Sequence, residues 1–129
     1  MSAATGTYTV SESPTTLTRL NRYTVWERVI TYAAVSADTT ATIALPINGI
    51  LQKIIYTRPD TANNDLTSTL TIDDNGDNTI FTSAAGLAEN ATSTWSVNEP
   101  LSGTCDVLIT FNEAVGVSAT FTVTLRGLY

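Results

Sequence analysis

The stretch Thr69-Leu70-Thr71-Ile72-Asp73-Asp74-Asn75-Gly76-Asp77-Asn78-Thr79-Ile80-Phe81-Thr82 sets two apolar runs around a polar centre of three Asp and two Asn. It can be read as a calcium loop, as an acidic catalytic cluster or as the turn of a hairpin. Each reading leads to a different protein. Asp73, Asn75 and Asp77 stand where the first three ligands of an EF-hand loop would stand. The glycine needed at the sixth position is instead fourth, Gly76, and the twelfth position, which requires a bidentate Glu, is Ala84. The flanks carry strand patterning: Leu66, Ser68, Leu70 and Ile72 alternate with Thr67, Thr69 and Thr71. Asn75-Gly76 is a strong two-residue turn signal, and the neighbouring Asp and Asn side chains can bond nearby backbone. Asp73 and Asp74 are sequence neighbours beside a turn. They do not face each other across a cleft, as the paired carboxylates of glycoside hydrolysis must, and nothing near them suggests an apolar pocket. The expectation is a hairpin, with no catalytic, cofactor-binding or metal-binding residue assigned.

The same two-residue period runs outward from this hairpin. Val117, Ala119, Phe121, Val123 and Leu125 alternate with Ser118, Thr120, Thr122 and Thr124, giving one apolar face and one hydroxyl face. Further strands are expected over residues 22–32, 40–45, 50–57, 79–82, 91–97 and 104–111, from their β-branched and aromatic content. Asn48-Gly49, residues 98–103 and residues 112–116 read as turns, the last closing a final hairpin. Residues 83–90 read as a loop or short helical turn. Leu70, Ile72, Val107, Ile109, Phe121 and Val123 are the expected core. The fold class is therefore all-β: a two-sheet sandwich or jelly roll of about eight antiparallel strands, preceded by an extended N-terminal arm. Residues 1–21 form the arm and residues 22–129 a single sandwich domain. The arm is Ser/Thr/Ala-rich without hydrophobic period, so it is either disordered or laid onto a partner. Tyr8, Val10, Leu17 and Leu20 are its expected partner-binding anchors.

Composition narrows the function. The 129 residues suit one domain with one core. Charged residues are 14% and the net charge is −6, which excludes the basic footprint of a nucleic-acid or anionic-membrane partner. The polar surface is instead mostly threonine, roughly a fifth of the chain. Histidine is absent, which removes His-based triads and most zinc sites. The single cysteine, Cys105, has no internal disulfide partner and reads as a buried strand thiol. The first residues have neither the basic nor the apolar region of a signal peptide, and no apolar run reaches membrane-spanning length. Trp26 and Trp95 fit core or interface positions better than a sugar-stacking platform. Arg58 and Asp60 flank Pro59 and could pair across the loop. Asn90-Ala91-Thr92 matches a glycosylation sequon, a chance match in a cytoplasmic product this rich in Thr.

These features together resemble the small jelly-roll proteins that cement or decorate the heads of tailed phages. The resemblance is carried by the Ser/Thr-rich N-terminal segment, the Thr-laden strands and the stretches at residues 48–55, 70–76, 87–90 and 100–103. It implies a non-enzymatic structural virion protein, made in the host cytoplasm and placed on the capsid exterior. Its partners would be the major capsid protein and copies of itself, as a dimer or trimer, bridging neighbouring capsid subunits. The family has no site signature, so no residue role follows from it. The alternative is a carbohydrate- or receptor-binding sandwich of a phage tail or fibre, which needs exposed aromatics lining a groove.

Overall fold

Phe121, Val123 and Leu125 point into the protein and are buried, while Thr120, Thr122 and Thr124 point out. That alternation makes one of the central strands of a sandwich. The computed structural model describes residues 6–13, 25–61 and 65–129. Among them run the strands β1 (Thr7–Ser13), β2 (Val25–Ala34), β3 (Thr40–Pro46), β4 (Gly49–Thr57), β5 (Thr67–Asp73), β6 (Thr79–Thr82), β7 (Leu87–Ala88), β8 (Thr92–Leu101), β9 (Thr104–Phe111) and β10 (Ala119–Leu128). All pairings are antiparallel. Sheet A has the order β1-β2-β10-β4-β8, and sheet B the order β3-β9-β5-β6 with β7 beside β5. The chain crosses between sheets at each step from β2 to β5 and again from β8 to β10. The interleaved order β2-β10-β4-β8 with β3-β9-β5-β6 is an eight-strand jelly roll, to which β1 adds a fifth strand on sheet A. No helix among the described residues is long and apolar enough to cross a membrane.

The inner faces of the two sheets meet in one core, and all six expected core residues are in it. Phe121 stands at its centre. Its ring stacks on Tyr32 at 5.1 Å between centroids and meets Tyr56 and Phe111 edge-on at 6.1 and 6.0 Å. Phe111 belongs to sheet B and the others to sheet A, so this aromatic group fastens one sheet to the other. Tyr56 Oη and Ser68 Oγ, 2.8 Å apart, bridge the sheets and satisfy each other where both are buried. Trp26 closes one end of the core, donating from Nε1 to the Leu128 carbonyl at 2.9 Å. Gly127 is its counterpart: a Cβ there would run into the Trp26 ring and the Ile50 carbonyl. Cys105 is buried as expected, and burial pushes its thiol pKa up.

Several local expectations are corrected by the topology. The β9 and β10 segments do not form a hairpin; they lie in opposite sheets, β9 between β3 and β5 and β10 between β2 and β4. Asn48-Gly49 lies between two strands as expected, and it joins sheet B to sheet A. Residues 98–101, expected as part of a turn, continue β8, and Pro100 pairs with Ile50. Proline is tolerated there because β8 is an edge strand, with one side free of ladder bonds. The 83–90 segment holds β7, whose two residues pair with Thr67 and Ser68. Arg58 does not pair with Asp60. It is buried, donating to the Ala88 carbonyl and Ser93 Oγ, with its guanidinium over the Tyr56 ring.

Candidate functional site on sheet A

Residues 69–82 lie in the β5–β6 hairpin. Its carboxylates serve the turn. Asp74 accepts from the Gly76 and Asn78 amides, each at 2.9 Å, and from Asn78 Nδ2 at 3.2 Å. The backbone bond from Asn78 is the main reason its pKa is lowered. Asp73 accepts from Thr79 Oγ1 at 2.8 Å, and Asp77 takes the left-handed conformation at φ 62°. Among the described residues, no group of three or more His, Cys, Asp or Glu is placed to hold a metal ion. Trp26 is in the core, while Trp95 is half-buried against Phe81, at 5.2 Å, between β8 and β6.

The residues assigned to the arm divide. Thr7–Ser13 is β1, laid along β2 of the same chain from Thr7 opposite Ala33 to Ser13 opposite Glu27. The remainder of residues 1–21 lies outside the described residues, apart from Gly6, and takes Leu17 and Leu20 with it. Tyr8 stacks on Tyr32 at 6.4 Å yet stays 41% exposed, and Val10 packs partly against the core. Glu12 Oε2 is 3.3 Å from Arg28 Nε, near enough for an ion pair but out of line for a hydrogen bond. The buried carboxylate of Asp38 accepts from Gly6 N at 3.2 Å and Val35 N at 3.0 Å, and so fixes the start of β1. Burial, and then the Asp38 charge, raise the Tyr32 pKa. Five of the seven side chains of β1 are exposed, so backbone bonding does most of the holding.

Among the described residues, β1 is also the least protected edge of the sandwich. Natural sheets blunt their edges with proline, charge or shortness. β8 carries Glu99-Pro100, β3 ends on Pro46, β6 has four residues and β7 has two. β1 has seven residues, no Lys and no Pro, and its one charge, Glu12, is turned towards Arg28. Its outer backbone row has no strand beside it among the described residues.

The solvent face of sheet A is built from rungs that sequence spacing does not reveal. One rung takes a threonine from every strand: Thr9, Thr31, Thr122, Thr57 and Thr92. The Thr57 and Thr92 hydroxyls lie 3.1 Å apart. The next rung is Ser11, Val29, Thr124, Ile55 and Thr94, also without charge. Charge enters only in the third: Ser13, Glu27, Arg126, Lys53 and Ser96. Arg126 Nε donates to Glu27 Oε2 at 2.6 Å.

No protein-family model and no curated protein sequence matches the chain. Solved structures resemble it in fold. One is an arabinose-bound α-L-arabinofuranosidase, MgGH51, with a TM-score of 0.45 and 8% identity, over 98% of this chain and 22% of that one. A second is the Bacillus endospore appendage, described as a novel family of disulfide-linked pili, with a TM-score of 0.46, 16% identity and coverage of 99% and 96%. A third is the enzymatically active domain of a tailspike protein of bacteriophage CBA120, with a TM-score of 0.36, 10% identity and coverage of 95% and 19%. The chain thus spans about a fifth of the arabinofuranosidase and of the tailspike chain. At these identities the likeness is one of β-sandwich fold alone.

Proposed function

We propose that the chain is a non-enzymatic structural subunit of a virus particle, a cement or decoration protein that bridges neighbouring major capsid subunits on the capsid exterior. The observation that carries this reading is the open edge of β1. A seven-residue strand of β-favouring composition, held mainly by backbone bonds and left without guarding charge or proline, is suited to strand addition from a partner. A cement protein needs such an edge and a broad uncharged face more than it needs a cleft. The rungs of Thr, Ser, Val and Ile beside β1 supply that face. Repetition on a lattice, as a dimer or trimer, would multiply modest contacts into firm attachment. The resemblance of the sequence to head-decorating proteins points the same way.

The test is to guard the edge. Thr9→Lys combined with Ser11→Lys places two lysines on exposed positions of β1. The variant should melt within a few degrees of the parent and lose about tenfold or more in occupancy on purified particles that lack the protein. Unchanged occupancy with a folded variant would remove the edge, and with it this account.

A further inference from the structure

The third rung contains an arrangement that a sheet does not adopt for its own stability. Arg126 and Lys53 are directly opposite each other on adjacent strands. Like charges so placed are destabilising. The chain carries only six Lys and Arg against twelve Asp and Glu, so two cations side by side are out of keeping with its composition. The other described cations are committed: Arg28 lies beside Glu12, and Arg58 is buried among its acceptors. Glu27 pairs with Arg126, through Nε. Lys53 has no ion-pair partner among the described residues.

The backbone is irregular at this same point. The β10–β4 register shifts between Arg126 and Gly127, and the β4–β8 register shifts between Leu51 and Lys53. Both irregularities fall on Gln52. The extra residue turns Gln52 and Lys53 together away from the core, between the buried Leu51 and Ile54. Bulges of this kind re-aim side chains and are common beside functional sites. Here they open a cavity of about 500 Å³ on the face of sheet A, within the usual range for small-ligand sites. Lys53 and Arg126 line it together with Gln52, Ser96, Val97 and Leu128.

The geometry points to a binding site for an acidic saccharide, one whose sugar ring bears a carboxylate. Lys53 supplies the counter-charge for the carboxylate, with the guanidinium of Arg126, held through Nε by Glu27, beside it. Gln52 and Ser96 offer both donors and acceptors to ring hydroxyls. Val25, which also lines the cavity and is exposed, and its neighbour Leu128 offer apolar surface to the C–H face of a sugar. An inorganic anion would leave most of the volume unused, and a neutral sugar would leave Lys53 without a counter-charge. A peptide strand is disfavoured because the cavity lies on the face of the sheet, where β4 and β10 are each paired on both sides. This site is separate from the β1 edge and stands or falls independently of it.

The experiment is an NMR titration of the isotope-labelled full chain at low salt with trigalacturonate, its methyl ester and sodium acetate. Trigalacturonate should bind saturably, shifting the amides of Gln52, Lys53, Ser96 and Arg126. The methyl ester tests the sugar without its charge, and acetate the charge without its sugar; each should bind at least about tenfold more weakly. Lys53→Gln should lose about tenfold in affinity while melting no lower than the parent, since it removes the like-charge contact. The inference is overturned if trigalacturonate fails to bind by about 10 mM, or if the ester or acetate binds as tightly. Unchanged affinity of a folded Lys53→Gln variant would overturn it equally. Should that variant not fold, the three-ligand comparison on the parent chain decides alone.

Discussion

Truncating Phe121 to alanine is the sharpest probe of the sandwich, because this ring touches both sheets. Its exposure is 1%, and it contacts the rings of Tyr32, Tyr56 and Phe111. A buried Phe→Ala change costs about 3–5 kcal/mol through lost transfer energy and the cavity left behind. Each aromatic contact adds roughly 0.5–1.5 kcal/mol beyond area burial. These contributions overlap, and the neighbouring rings come from two sheets that cannot collapse freely into the gap. The cost should therefore lie in the upper half of the range, about 4–5 kcal/mol. A domain of this size has about 5–15 kcal/mol in total, so the variant should be only marginally folded. Urea unfolding followed by tryptophan fluorescence measures it. With a slope of about 2 kcal/mol per molar, the midpoint should fall by about 2 M. Thr122→Ala is the control. It is the next residue along β10, on the opposite face, and should change stability by no more than about 0.5 kcal/mol. Equal shifts for the two variants would refute the assignment of strand faces on which the whole fold rests.

Gly127→Ala should destabilise by about 1–3 kcal/mol in the same urea assay, because the new methyl meets the Trp26 ring and the Ile50 carbonyl; Trp26→Phe in the same chain should recover part of it. Tyr56 has its pKa raised from 10.0 to about 12, chiefly by burial. Its neutral phenol therefore contributes stability below pH 10 that is lost as pH rises towards about 12; Tyr56→Phe should flatten that alkaline loss and cost about 1 kcal/mol at neutral pH through the Ser68 contact. Asp74 has a lowered pKa, so its contribution is present above the ordinary aspartate range and is lost as pH falls through the depressed folded value. Melting temperatures of the parent should decline below about pH 4, and Asp74→Asn should remove part of that decline.

The strands that bury one face were legible because burial imposes a period. β5 and β10 alternate Leu, Ile, Phe and Val with Thr, and the structure places the two kinds on opposite faces. The Asp73–Asn78 turn was legible because Asn75-Gly76 is a strong turn pair and the positions of Gly76 and Ala84 weighed against the competing calcium loop. Connectivity was less accessible. A turn dipeptide such as Asn48-Gly49 says that the chain bends, not whether the next strand pairs with the last or crosses to the other sheet. In a jelly roll most connections cross, so residues 112–116 join strands that never pair.

β1 was misplaced for a physical reason that also bears on function. Sheet A runs five strands across, whereas sheet B runs four across with the two-residue β7 beside β5, and β1 is outermost in sheet A. A strand in that position has little to pack against, so only Tyr8 and Val10 on its inner side are apolar, and the alternation in Thr7-Tyr8-Thr9-Val10-Ser11-Glu12-Ser13 is too short to stand out. The segment then reads as an arm even where it is hydrogen-bonded along its length. The same lack of burial makes it the easiest strand to detach or extend, since its side chains anchor it weakly. Hydrogen exchange distinguishes it from the interior. Amides of β1 should exchange faster than those of β10, which is flanked by β2 and β4 and carries Phe121, Val123 and Leu125 into the core. Equal protection would mean that β1 opens only when the whole sandwich does. A strand addition that displaces β1 would then be too costly, and capture of a partner would have to proceed by pairing at its free outer row.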